Sequence, residues 1–289
     1  MKGRLVYKNI LAKAVLILLT MIGTCCAGGL PADLGRLQHE ATDVNSSLRS
    51  KTTAEDGSLD AILKQLNQRT AELLFYQCRI EYLFSQPLFE SQTLRTGRLY
   101  YQKAGRESKL RMNFQTLKQD DADQQKYIEH YIFDGVWLTH IDYQAKTAKR
   151  YQMAEPNKPA DAFDLASKNF PIIGFTKTDD LKEQFVINLI EQNPGEPNDF
   201  LRLHLMVKPD SIYRNDYTSI EFWIDRKLYL PAKIIAVSTE GDIYQLRFLD
   251  ARVNEKIDKE LFEFKIPQGF DKEIIPLKKT EQEGAQRKK

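Results

Sequence analysis

The chain has 289 residues, of which 42% are hydrophobic, 28% charged and 10% aromatic, with a formal net charge of +2. That balance belongs to a folded protein with a sizeable core and excludes a disordered chain, and 13 Tyr with 15 Phe lean toward β structure. Lys2, Arg4, Lys8 and Lys13 stand together without an acid, which leaves 38 of the 42 basic residues against 40 acidic ones, about −2. A near-neutral body of interspersed sign has no electrostatic footprint for nucleic acid, and that class of partner is excluded.

The basic start is followed by the apolar run Ala14-Val-Leu-Ile-Leu-Leu-Thr-Met-Ile22 and then by small residues, Gly23-Thr24-Cys25-Cys26-Ala27-Gly28-Gly29. This is the pattern of a cleavable signal over residues 1–27, since the run falls short of the roughly 20 apolar residues of a membrane span. Cleavage after Ala27 puts Cys25 and Ala27 at the small-residue positions. The alternative is acylation of Cys25, against which the preceding Thr24 argues. The expected location is the periplasm or another exported site. Of three cysteines, only Cys78 then stays in the mature chain, where it has no partner for an internal disulfide and reads as a small apolar core residue.

Residues 28–57 are polar and aperiodic and read as a flexible spacer, as do the charged residues 278–289 as a tail. Between them, 58–277 reads as one domain. Ser58 caps a predicted helix in which Leu59, Ile62, Leu63 and Leu66 share a face. An extended stretch, Leu74 to Phe84, follows, and Pro87 ends or bends it. Leu99 and Tyr101 alternate with polar neighbours, and so do Leu110, Met112 and Phe114. Asp134-Gly135 lies between two apolar runs and predicts a hairpin whose third arm is Lys146 to Met153. A short helical segment is predicted over Ala160–Lys168. Further strands are predicted at Phe185–Glu191, Phe200–Val207, Ser219–Asp225, Leu230–Ser238 and Ile243–Leu249, with Asn254–Gly269 closing the series. Many consecutive antiparallel strands with few helices predict a mainly β fold, an unclosed antiparallel half-barrel lidded by helices.

The search for chemistry returns little. With a two-residue Asp134-Gly135 turn, His140 faces Glu129 and His130 faces Thr139, so the two histidines point to opposite faces and no metal pair is expected. Asp120-Asp121-Ala122-Asp123 lacks the glycine and the bidentate Glu of a calcium loop. No nucleophile elbow, phosphate-cradling loop or metalloprotease helix is present in the sequence. The expectation is a non-enzyme without cofactor or metal.

Three patches resemble the lipoprotein-localisation carrier family of the LolA type. They are Gly97-Arg-Leu-Tyr-Tyr-Gln-Lys-Ala-Gly-Arg106 leading into Leu110-Arg-Met-Asn-Phe114; Tyr131-Ile-Phe-Asp-Gly-Val-Trp-Leu138; and Asn254-Glu-Lys-Ile-Asp-Lys-Glu-Leu-Phe-Glu-Phe-Lys-Ile-Pro-Gln-Gly269, with its Phe-x-Phe strand. The resemblance covers about Leu59 to Leu277. It implies a half-barrel whose apolar face binds the acyl chains of lipid or lipoprotein, with membrane donor and acceptor proteins as further partners. It also implies a basic lid contact, here Lys103 followed by Ala104 where the family has Arg-Pro; lysine lacks the guanidinium fork, so that latch is weakened. The sequence carries extra polar residues around Gln115–Gln125 and Asn193–Asn198.

The candidate ligand-lining set is Leu110, Met112, Phe114, Phe222, Ile224, Leu246 and Phe248, each of which also fits ordinary core. In the last strand, Tyr244, Leu246 and Phe248 are chosen as the inward parity over Ile243, Gln245 and Arg247. Two functions follow. One is a periplasmic carrier with an acyl-binding cavity. The other is an envelope sensor or interaction module on the same fold that engages a membrane-protein partner.

Overall fold

The computed structural model describes residues 58–105, 107–162, 178–191 and 199–277. The predicted signal with Cys25, the spacer, the tail, the polar stretch 193–198 and all but the start of the predicted Ala160–Lys168 helix lie outside these residues. Among the described residues, no helix is long and apolar enough to cross a membrane.

Helix α1 (Leu59–Ala71) forms where apolar residues recur at helical spacing, with Asp60 in its first turn and Arg69 in its last, both favourable to the helix dipole. Its buried stripe is Ile62, Leu63, Leu66 and Thr70, and the Thr70 hydroxyl returns a hydrogen bond to the Leu66 carbonyl at 2.8 Å. A six-stranded meander follows, β1 (Phe75–Gln86), β2 (Ser91–Ala104), β3 (Glu107–Gln119), β4 (Gln125–Phe133), β5 (Trp137–Asp142) and β6 (Thr147–Gln152). Helix α2 (Thr178–Gln184) then leads into a second meander, β7 (Phe185–Ile190), β8 (Phe200–Val207), β9 (Tyr217–Asp225), β10 (Pro231–Ser238) and β11 (Ile243–Val253), and β12 (Asp271–Ile275) ends the series. The strand order is β12-β6-β5-β4-β3-β2-β1-β11-β10-β9-β8-β7. Every pairing is antiparallel except β12 with β6, and the edge strands β12 and β7 do not meet, so the sheet stays an open half-barrel.

Two glycines mark positions where the backbone admits nothing else. A Cβ on Gly97 would stand 2.0 Å from the Asn113 carbonyl oxygen, because β3 bulges against β2 there. Gly135, at φ +99°, turns the β4–β5 hairpin. That turn falls one residue later than the Asp134-Gly135 dipeptide predicts. Asp134 opens the turn, its carboxylate accepting the Val136 and Trp137 backbone N–H groups at 3.0 and 2.7 Å, so Tyr131 pairs with His140 and Ile132 with Thr139. The register moves by two, parity is kept, and His130 and His140 remain on opposite faces.

The ending departs from prediction more deeply. Phe262-Glu263-Phe264 does not form a strand. Residues 254–270 run as a strap across the outer face of the first meander, with one 3-10 turn at Lys259–Phe262. Phe262 and Ile257 pack on Tyr100, while Phe264, Ile266 and Phe270 pack on Ile132, Ile141 and Ala148. The strap's polar backbone finds partners in side chains instead of a ladder. The Arg111 guanidinium donates to the carbonyls of Leu261 and Glu263 at 2.6 and 3.0 Å. At the strap's origin Asn254 adopts φ +58°, and its side-chain oxygen accepts from the N–H groups of Leu74 and Phe75, tying the end of β11 to the start of β1.

Candidate functional site

The cross-strand register settles which residues share the sheet's inner face. Phe114 lies opposite Gly97, Gly97 opposite Ile80, and Ile80 opposite Phe248. One row on, Tyr82 lies opposite Leu246, Leu246 opposite Ile234, Ile234 opposite Phe222, and Phe222 opposite Leu203. Leu110 and Met112 share Phe114's parity on β3, and Ile224 shares Phe222's on β9. The seven predicted residues thus stand on one face, spread over β3, β9 and β11. They are not equally accessible. Phe114, Phe222, Ile224 and Leu246 are buried, whereas Leu110, Met112 and Phe248 keep part of their surface open. Cys78 is on the same face, buried next to Tyr76, and burial pushes its thiol up to about 12.

Lys103 reaches the chain leaving the first meander. Its Nζ stands 3.8 Å from the Asp161 carboxylate, which also accepts the Tyr101 hydroxyl at 3.0 Å. Around this contact the Ala162 N–H donates to the Ser108 hydroxyl and the Ala160 N–H to the Gly135 carbonyl, at 2.5 and 2.8 Å. The single ammonium therefore makes one long ion pair, without the fork a guanidinium would offer.

The inner face also holds a charged group that the candidate residues above do not include. Arg95 of β2 and Glu129 of β4 are each 3% exposed, and Arg95 Nη1 donates to Glu129 Oε2 at 3.1 Å. Glu129 Oε1 accepts the Tyr131 hydroxyl at 2.5 Å and pairs with His140 Nε2 at 2.7 Å. The rings of Tyr131 and His140 are stacked 4.5 Å apart. Burial pushes the Glu129 carboxyl up, but the His140 hydrogen bond, Arg95 and Tyr131 outweigh it and hold the group below its ordinary value. Burial pushes the Tyr131 hydroxyl well above the usual range, helped by Glu129. Directly opposite Arg95 stands Tyr82. Its hydroxyl and Arg95 Nε are both buried without a hydrogen-bond partner, two donors aimed into the apolar face. A signal for this cluster does exist in the sequence, because Tyr127, Glu129, Tyr131 and Phe133 share parity and put an acid in an inward row.

No family model matches the chain, and no curated protein matches it. Among solved structures it is similar to an uncharacterized conserved protein from Thermus thermophilus, with TM-score 0.43 and 10% identity over 75% of this chain and 98% of that one. It is similar to MucB in the MucA/MucB complex of Pseudomonas aeruginosa, with TM-score 0.40 and 14% identity over 71% of this chain and 60% of that one. A LolA superfamily protein from Nitrosomonas europaea matches with TM-score 0.32 and 12% identity over 71% of this chain and 97% of that one. LolA-like folds are among its structural neighbours.

Proposed function

We propose that this chain is a non-catalytic, exported binding module whose inner sheet face receives the acyl chain of a lipid or lipoprotein. The observation that carries the reading is the inner face itself. Leu110, Met112 and Phe248 leave apolar surface open beside the buried Phe114, Phe222, Ile224 and Leu246. Twelve strands at about 4.8 Å spacing extend roughly 50 Å along the sheet, while α1, at about 1.5 Å per residue, is only about 20 Å long. Burying acyl carbons on such a face yields about 0.8 kcal/mol per methylene, with no catalytic group required. The unpartnered donors of Tyr82 and Arg95 suit the polar end of such a ligand. Lys103 and Asp161 are the proposed latch for the chain that leaves β6.

The test is displacement of a fluorescent fatty-acid probe from Met112→Glu and Phe248→Glu variants. A carboxylate at a partly open position stays hydrated, so these variants should fold and bind the probe at least tenfold more weakly. Phe222→Glu, at a position 1% exposed, should unfold the domain and serves as the core control. Wild-type protein that binds no probe would end the carrier reading.

The second reading is an envelope sensor or interaction module engaging a membrane-protein partner. It is favoured by one feature: Val186 and Met206 lie side by side on edge strand β7 and its neighbour β8, and both are exposed.

A further inference from the structure

The outer face of the sheet carries a second, unrelated feature where β1, β2 and β11 meet. Gln77 and Arg79 of β1, Arg98 and Tyr100 of β2, and Asp250 and Arg252 of β11 surround a hollow of about 160 Å³ beside Cys78. At about 30 Å³ per water, it holds about five waters. Three arginines and one aspartate line it, with Arg79, Asp250 and Arg252 largely exposed. Arg79 and Arg98 are direct cross-strand partners, an arrangement of like charges that weakens a sheet. Asp250 answers only the first of them, accepting Arg79 Nε at 2.6 Å. Among the described residues no carboxylate comes within ion-pair reach of Arg98, and Arg252 has only the exposed Glu255 at 3.8 Å. Elsewhere on the same face Arg247 pairs with Glu81 at 2.8 Å and Arg202 with Glu221 at 3.5 Å.

The backbone is shaped to make this cluster. The β1–β11 ladder slips by one residue between Gln77/Arg252 and Arg79/Leu249, with Asp250 at φ +53°. A regular ladder would alternate the β11 side chains between faces; the bulge brings Asp250 and Arg252 round to the side of Arg79 and Arg98. A like-charge pair, a backbone distortion and a hollow at one place are a cost to the fold that a bound anion would offset.

We propose that this hollow is an oxyanion site for a phosphate group. The excess of two positive charges among its lining residues matches a phosphate dianion. Guanidinium forks on neighbouring strands present paired donors to tetrahedral oxygens, and the Tyr100 and Gln77 side chains add neutral ones. The same chemistry is offered by free phosphate and by the head group of an anionic phospholipid.

The experiment titrates the full-length exported protein with inorganic phosphate by calorimetry, alongside Arg98→Gln and Asp250→Asn. The site predicts saturable binding by wild type, a loss of tenfold or more in Arg98→Gln, and tighter binding in Asp250→Asn, whose competing carboxylate is gone. It also predicts that Arg98→Gln melts at the wild-type temperature or higher, because one of two opposed charges has been removed. Co-sedimentation with phosphatidylglycerol vesicles, using phosphatidylcholine vesicles as the neutral control, separates the sources. Binding lost in Arg98→Gln and competed by phosphate assigns the lipid head group, and phosphate binding without vesicle binding assigns the free ion. Absence of phosphate binding by wild type, equal binding by Arg98→Gln, or a lowered melting temperature in that variant overturns the proposal.

Discussion

Glu129 accepts from the buried Arg95 and Tyr131 and pairs with the partly buried His140, and its removal gives the sharpest stability test of the inner face. In Glu129→Leu the Arg95 charge stays 3% exposed, with Nε already unpartnered and Nη1 newly so, and Tyr131 and His140 lose their acceptor. Breaking a buried pair from one side costs about 3–5 kcal/mol. For a domain of this size that lowers the melting temperature by on the order of 10 °C. Replacing both partners, Arg95→Met with Glu129→Leu, removes the stranded charge and should recover most of the loss, because well-packed apolar pairs substitute for buried ion pairs at little cost. Urea unfolding of the four members of the cycle at pH 7 measures this, and repeating it in acid adds a second signature. Glu129 is held below its ordinary value, so its contribution is fully present above the unfolded-state pKa and fades as pH falls through the folded one. Glu129→Leu should therefore flatten the acid limb of the stability curve. A single variant within about 1 kcal/mol of wild type, or a double variant as unstable as the single, would refute the reasoning.

Other residues make separate predictions. Arg111→Ala removes the donors that hold two strap carbonyls and should cost about 1–3 kcal/mol, with amide exchange accelerating in the strap and β12 but not in β8–β10; uniform exchange would contradict it. Burial and the adjacent Arg111 lower His130 to about 4. Its folded value is thus below its unfolded one, and stability should fall as pH drops from about 6.5 to 4, by about 1–2 kcal/mol after discounting for the partly exposed ring. His130→Gln should lose that slope, and an unchanged slope would assign it to other groups. With its thiol buried and raised to about 12, Cys78 should react with a bulky maleimide only as fast as the sheet opens; urea-independent rapid labelling would show otherwise.

Much of the sheet was legible because strand period and burial agree. Alternation of Tyr244, Leu246 and Phe248 with Ile243, Gln245 and Arg247 marks the strand but leaves its inward parity a choice, and the ladder sets the first three opposite Phe84, Tyr82 and Ile80. Alternation failed where another interaction replaces strand pairing. Phe262 and Phe264 alternate as a strand would, yet both pack onto the sheet from outside, and the Leu261 and Glu263 carbonyls beside them bond to Arg111, 150 and 152 residues away in the chain. The Asp134 turn slipped by one because its carboxylate, not Gly135, sets the opening residue. Arg95 and Glu129 were missed because a lone charge within a strand reads as outward, although Glu129 shares its parity with Tyr131 and Phe133, and only the pairing of β2 with β3 and β3 with β4 brings the two together. Helix α2, at seven residues, is too short for periodicity to register.

The strand order also carries a consequence for the order of assembly. Each meander closes through neighbouring hairpins, but the halves share one ladder, in which Tyr76 must find Val253. A chain emerging from its N-terminus can complete β1–β6 early, yet β1 keeps one raw edge until almost the whole sequence has arrived. The closing segment, residues 254–275, then crosses back over the first half and fills its far edge at β6, fastening the first meander. Pairing over so long a stretch of chain is slow to form, so the β1–β11 ladder sets the pace at which the two meanders join.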